Sequence, residues 1–354
     1  MYTQLKSFFV VSTTLISLTA CALNEKGSNS RNSKCPQFSG NFTISAYQLY
    51  PENADFDFNS CVLYTGNLWN ASVGIYDPYT TAYESIEFEN ITGNPDFFIG
   101  GVKMNHRTNL LSVTAYANKA FGTEGQDLSG TNYVMQWNPS TRQLHYKHNL
   151  TATTQGRFSG LQDVAHDPAN NVYVIGTYPS SIVRVDPKGK KAQTWYLEDR
   201  LDKVIAGYSG VATKDWTLIA NDEATGSLYR FDMRAKKGIP VRIEVTPPHE
   251  IGLTDGIQLP PKYNGTVLVV AERTLGASVY RSRKRDWKKA EYLGIVPWFS
   301  TDRNVTKALQ VGDAVFFNLT PFGDTGIGGP RSAGNRTDFF YMDITGEIDA
   351  LLRR

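Results

Sequence analysis

Residues 160–296 carry nearly the same pattern three times over, and fainter copies lie on both sides. The clearest copy, GLQDVAHDPANNVYVIGTYPSSIVRVDPKGKKAQTWYL, breaks into four short β-rich runs: Leu161–His166, Val172–Tyr178, Ser181–Asp186 and Lys191–Leu197. Asn-Asn, Pro-Ser and Lys-Gly turns separate them. A four-strand unit of this size cannot bury both faces alone. Copies must therefore stack around an axis, which predicts an all-β chain folded as a β-propeller with four-stranded antiparallel blades.

The third run of each unit measures the period. Tyr76-Asp77, Trp137-Asn138, Val185-Asp186, Phe231-Asp232, Tyr280-Arg281 and Tyr341-Met342 occupy equivalent places, at spacings of 61, 48, 46, 49 and 61 residues. Six blades follow, with extra residues in the second and sixth. Second runs align as Cys61–Leu68, Leu110–Ala117, Val172–Tyr178, Thr217–Glu223, Thr266–Arg273 and Ala314–Thr320. All are rich in Val, Leu, Tyr and Phe, as a strand buried mid-blade requires. The sixth unit lacks a fourth run, so a terminal segment is expected to close the ring, and the sequence leaves open which terminus does so.

One six-bladed ring over residues 41–354 accounts for nearly all of the 354 residues, and only Gly346–Leu352 reads as helical. Residues 1–22 read as a signal peptide. Lys6 precedes the apolar run Phe8–Leu18, too short to span a bilayer, and Ala20-Cys21-Ala22 predicts cleavage after Ala22. Residues 23–40 are expected to be a disordered leader. Cleavage would leave Cys35 and Cys61 as a single pair, predicting a disulfide in an oxidising compartment. Leu18-Thr19-Ala20-Cys21 also resembles a bacterial lipidation site, but the sequons favour a eukaryotic secreted glycoprotein: Asn41, Asn70, Asn90, Asn149, Asn264, Asn304, Asn318 and Asn335 all head N-x-S/T triplets. Asn318 is expected to be too enclosed for a glycan. A net charge of +2 gives no reason to expect nucleic acid as a partner. No membrane anchor is expected, and a monomer is.

In a propeller, loops entering each first strand and loops leaving each second strand open on one face. The extra residues, 118–131 (NKAFGTEGQDLSGT) and 321–336 (PFGDTGIGGPRSAGNR), both leave a second strand and so belong to that face. Gly-rich loops with isolated aromatics suit a lid; tolerated surface insertion is the plainer alternative. Strand ends on this face supply the expected wall: Asn67, Trp69, Tyr116, Tyr178, Asn221, Glu272, Arg273 and Phe322, with Gln162 beside them. Asp163 and Asp255, at first-strand starts, are the candidate catalytic acids. The set suits an apolar ligand held by a few polar contacts. The competing structural readings are that Asp163 and Asp255 bond backbone amides, and that Glu272 and Arg273 pair with neighbours.

Other chemistry finds little support. The chain has no G-x-S-x-G, no H-E-x-x-H and no G-x-x-x-x-G-K-[ST]. His106, His166 and His249 read as lone histidines, and the basic run Arg281–Lys289 as a solvated hairpin on the face away from the lid. Thr254-Asp255-Gly256-Ile257 and Gln162-Asp163 resemble segments of the calcium-dependent gluconolactonase-type propellers. Against that, Ser209 stands where such enzymes place a metal-binding Asn, and no early Glu stands in the expected context. Calcium takes six to eight oxygens, so no metal site is expected.

Longer phrases carry a narrower likeness. QLYPENADFD (48–57), CVLYTGNLWNASVGIYDP (61–78), LSGTNYVMQWNP (128–139), GSLYRFDMR (226–234), LPPKYNGTVLVV (259–270) and AEYLGIVP (290–297) resemble the family of fungal trichothecene-biosynthesis protein fourteen. The chain is also similar to the hetero-Diels–Alderases of tropolonic sesquiterpenoid pathways. This resemblance implies a cofactor-free enzyme of secondary metabolism acting on a terpenoid or meroterpenoid intermediate, as a cyclase or pericyclase. It transfers no catalytic residue. A calcium lactonase and a non-catalytic secreted binding or virulence protein stay open as alternatives.

Overall fold

The structure, a computed structural model, describes residues 35–199 and 204–354. The expected signal peptide and the leader up to residue 34 lie outside the described residues. Six sheets, each built on four antiparallel strands, form the blades. Their innermost strands are Pro51–Asp57, Phe97–Asn105, Asp163–His166, Tyr208–Lys214, Thr254–Gln258 and Asn304–Val311. The second strands run Val62–Asn67, Leu110–Ala117, Val172–Gly176, Thr217–Asp222, Val267–Glu272 and Ala314–Thr320, within one or two residues of the sequence expectation.

The N-terminal segment closes the ring. Phe42–Ser45 pairs antiparallel with Asp338–Asp343 as the outer strand of blade six. Cys35 and Cys61 are bridged, with Cα atoms 5.4 Å apart, fixing the entering chain to the first hairpin of blade one. Residues 35–40 fall in the expected leader but are packed: Phe38 lies against Phe42, Tyr79 and Phe316, and the Gly40 amide donates to Asp343. The chain leaving blade four also departs from the simple repeat. Glu244–Thr246 adds to blade five as a fifth strand, parallel to Lys289–Pro297. Thr345–Leu352 is the expected C-terminal helix, burying Ile348 and Leu351.

The core lies between the blades. Blades one and two, for example, enclose Val73, Ile75, Ile99, Val102, Val113 and Met135, all buried. Each such side chain contributes about 1.5–3 kcal/mol on burial. Toward the axis the inner strands approach backbone to backbone. A Cβ at Gly256 would lie 2.8 Å from the Thr306 carbonyl oxygen, so only glycine lets blades five and six meet there.

Inner strands of five blades carry a bulge, between Pro51/Asn53, Ile99/Val102, Tyr208/Gly210, Thr254/Ile257 and Val305/Lys307. A bulge inserts an unpaired residue and re-aims its side chain. These five stand near the top of the inner strands, next to the lid face.

Candidate functional site

Bulges deliver Glu52 and Asp255 to the axis, where they meet Asp163 of the unbulged third inner strand and a lysine. Lys307, next to the blade-six bulge, is 1 % exposed; its Nζ donates to Asn53 Oδ1 at 2.8 Å and lies 3.8 Å from Asp163 Oδ1. Asp163 has both oxygens engaged: Oδ1 accepts from the Asn53 side chain at 3.2 Å and the Val164 amide at 2.9 Å, and Oδ2 from the Val211 amide at 3.0 Å. It ties together blades one, three, four and six.

Glu52 is the opposite case. It is buried, and its Oε2 has no hydrogen-bond partner. Burial, reinforced by the charges of Asp255 and Asp163, holds its carboxyl well above the usual carboxylate range, with Lys307 and Arg273 opposing. Asp255 is pushed up to about 7 by burial, against the attraction of Arg273 and with the help of Glu223. Tyr116 lies beside both, its phenol raised by burial and then by Glu52 and Asp255. Gly100 makes room here: a Cβ on it would sit 3.1 Å from Glu52 Oε2 and 3.0 Å from the Tyr116 ring.

Aromatic side chains cover this cluster. Phe121 comes from the blade-two lid, where Lys119–Gly122 forms one helical turn, and packs at 5.6 Å from Tyr116 and 5.4 Å from Tyr178. Phe322, from the blade-six lid, meets Trp69 at 6.3 Å, and Trp69 in turn meets Tyr50 at 4.7 Å. The lids touch: Arg331 donates to the Phe121 carbonyl oxygen. Asp324 anchors the second lid through Arg336, at 2.8 and 2.7 Å, and Tyr50, at 2.7 Å.

The residues expected at the mouth thus divide. Trp69, Tyr116, Tyr178, Phe322, Asp255 and Arg273 converge there, Arg273 paired with Glu223 at 3.0 Å. Gln162 lies at the edge, donating to Thr177 at 2.9 Å. Three others do not face a ligand. Asn67 is spent inside blade one, on Thr65, Ser72 and Tyr83. Asn221 is spent bonding the Gly210 amide, Ser209 and the Asp255 carbonyl. Glu272 turns away to His249 at 3.0 Å, to the Gly252 amide and to Ser278. Of these, His249 lines a separate groove of about 760 Å³ between blades four and five. Glu272 and Ser278 face the same nitrogen of His249, so they do not form a relay through the ring. His166, read as a lone histidine, ends an inner strand as its run Leu161–His166 predicts; burial lowers it to about 3, and it bonds Ser112 at 2.8 Å. Asn318 is fully buried, with its amide nitrogen donating to Pro51, Glu52 and Thr306, which leaves no room for a glycan in the folded chain.

Glu52, Asn53 and Lys307 were not among the expected site residues. Their signal was the repeat itself: Gln162-Asp163 and Asp255-Gly256 have Glu52-Asn53 and Thr306-Lys307 as their counterparts at the first strands of blades one and six. Glu52 is also an early acid of the kind the lactonase likeness lacked. The surrounding donors nevertheless do not fit calcium. A buried ammonium stands against Asp163, whose oxygens are already engaged, and among the described residues no three His, Cys, Asp or Glu side chains are grouped to hold a metal.

Comparison with known proteins agrees with this architecture. Residues 30–295 match the family model described as Mal s 1 allergenic protein-like. The chain belongs to that family. It is 33 % identical to trichothecene biosynthesis protein 14 of Trichoderma arundinaceum, over 92 % of this chain and 94 % of the relative. It is 31 % identical to core trichothecene cluster protein 14 of Fusarium sporotrichioides, over 90 % and 88 %. Among solved structures, the family's Malassezia sympodialis allergen Mala s 1 superposes with a TM-score of 0.74 at 21 % identity, covering 86 % of this chain and 96 % of the allergen. At that identity the likeness speaks for the fold alone.

Proposed function

We propose that this chain is a secondary-metabolite pathway enzyme that closes a ring in a terpenoid intermediate by proximity and proton donation, without a cofactor. The names of the two fungal relatives support the pathway. The observation that carries the chemistry is a pair of carboxyls, Glu52 and Asp255, held toward the neutral form beneath an aromatic mouth. A carboxyl that keeps its proton near neutral pH is a general acid. The acid role expected of Asp163 passes to Glu52, because Asp163 is engaged in holding four blades together.

The mouth of Trp69, Tyr116, Phe121, Tyr178 and Phe322 suits a greasy polycycle. Holding two reacting centres in contact can supply roughly 7–11 kcal/mol of a barrier. In the acid-assisted form, Glu52 or Asp255 protonates a substrate hydroxyl, which leaves as water. A second hydroxyl oxygen of the same substrate forms the new C–O bond, and its proton returns to the carboxylate. In the pericyclic form two unsaturated groups of the same substrate combine with no proton transfer, and the carboxyls only polarise them. The disulfide and the sequons support a place in the secretory pathway.

The test is a reconstituted pathway with Glu52→Gln, Asp255→Asn and Trp69→Ala proteins. Product is expected to fall about 10²- to 10⁴-fold with the first. Unchanged product from all three would remove the axial site from the reaction.

A further inference from the structure

Most large apolar side chains that reach solvent stand on the lid face. Of those exposed among the described residues, only Leu144, Ile239 and Val241 lie off it. The densest group belongs to blades five and six: Leu253, Leu275, Phe299 and Ile327, exposed by 56, 54, 88 and 62 %. They sit on four connections that bond to one another. The Arg273 amide donates to the Leu253 carbonyl at 3.0 Å and the Trp298 amide to the Leu275 carbonyl at 2.9 Å. Arg336, in the lid that carries Ile327, pairs at 3.1 Å with Asp302 on the loop of Phe299.

Charges between these side chains are neutralised in place. Arg273 pairs with Glu223, Arg303 and Arg336 with Asp302, and Arg336 also with Asp324. The apolar groups are therefore single prongs on separate loop tips, divided by ion-paired residues. A protein partner would need a rigid socket for each prong. The boundary between lipid headgroups and acyl chains accepts such prongs in any register, and a surface without excess positive charge has no need of anionic lipid.

We propose that the lid face of blades five and six docks on a neutral lipid surface, with Leu253, Leu275, Phe299 and Ile327 inserted at the headgroup boundary. This rests on the reading that the ligand is apolar: docking would set the mouth against the phase in which such a ligand dissolves. Among the described residues no helix is long and apolar enough to cross a membrane, so the contact is peripheral.

The test is flotation of the intact protein with vesicles of phosphatidylcholine alone or with added phosphatidylserine, at low and high salt, before and after enzymatic removal of any glycans. Asn304 and Asn335 lie on this face, and sugars there would shield it. The wild type is expected to float at both salt concentrations. Phe299→Asp and Leu275→Asp are each expected to lower the bound fraction about tenfold. Both variants should still turn over dissolved substrate, so a failure of docking is told apart from a failure of the proposed chemistry. The proposal is overturned if the wild type stays with the soluble fraction, or floats only once glycans are removed. It is equally overturned if binding needs anionic lipid and vanishes in salt, which would indict the basic far face. A dimer in light scattering that Phe299→Asp dissolves would assign the face to a second copy instead.

Discussion

Glu52 and Asp255 owe their positions to the same irregularity. Each is displaced by a bulge in an inner strand, which turns a residue that strict alternation would pair into one that faces the axis. Aspartate 163, on the one inner strand without such a bulge, is instead fully bonded. The two kinds of acid should respond differently to substitution. Asp163→Ala leaves the Lys307 ammonium buried with no carboxylate beside it and should destabilise the fold by about 3–5 kcal/mol in chemical denaturation. Asp255→Asn should do the reverse at high pH. The folded chain holds a proton on Asp255 up to about pH 7, whereas the unfolded chain releases it near the ordinary carboxylate value of about 4. Stability contributed at this residue is thus greatest in acid and falls as pH rises through that window. The melting temperature of Asp255→Asn relative to wild type should therefore climb from pH 4 to pH 8; a difference independent of pH would count against a raised carboxyl. Period and strand composition made Asp163 and Asp255 legible from the sequence. Glu52 escaped because PENADFD carries no feature that marks a bulge, and because the register of the middle blades was not extended to blade one.

The two lids and the closing strand act as elements. Both lids were legible as breaks in the repeat, and their shared face followed from strand order. Their contact through Arg331 and Phe121 was not, since neither loop has a periodic pattern to fix its path. Closure of the ring was legible only as a missing strand. The N-terminal segment supplies it because Phe42 can stack on Tyr341 and Tyr76, at 4.6 and 5.8 Å. The disulfide then holds the same segment to blade one, across a sequence separation of 26 residues. Replacing both Cys35 and Cys61 by Ser should cost about 3 kcal/mol in equilibrium unfolding. It should also speed amide exchange first in Phe42–Ser45 and its partner Asp338–Asp343. Uniform loss of protection around the ring would mean that the segment does not act as a latch.

At the scale of the molecule, the ring brings residues more than 250 positions apart into one site, as Lys307 and Asn53 show. That convergence explains why fold was easier to read than function. Six repeats of a local pattern announce the ring, but the axial cluster is made of single residues of blades one, three, five and six, and nothing local marks them as neighbours. Asn67, Asn221 and Glu272 had the right strand positions and were nonetheless taken up by hydrogen bonds within their own surroundings. What the ring assembles is a cluster of buried acids beneath aromatic side chains, and the reaction proposed for it is ring closure. The most direct measurement is to give the purified protein the intermediate that accumulates in a strain lacking it, and to weigh the product. Ring closure predicts a product of unchanged mass or one water lighter, formed by the wild type and about 10²- to 10⁴-fold more slowly by Glu52→Gln. A product one water heavier would identify a hydrolase, and tight binding without turnover a carrier; either would contradict the account.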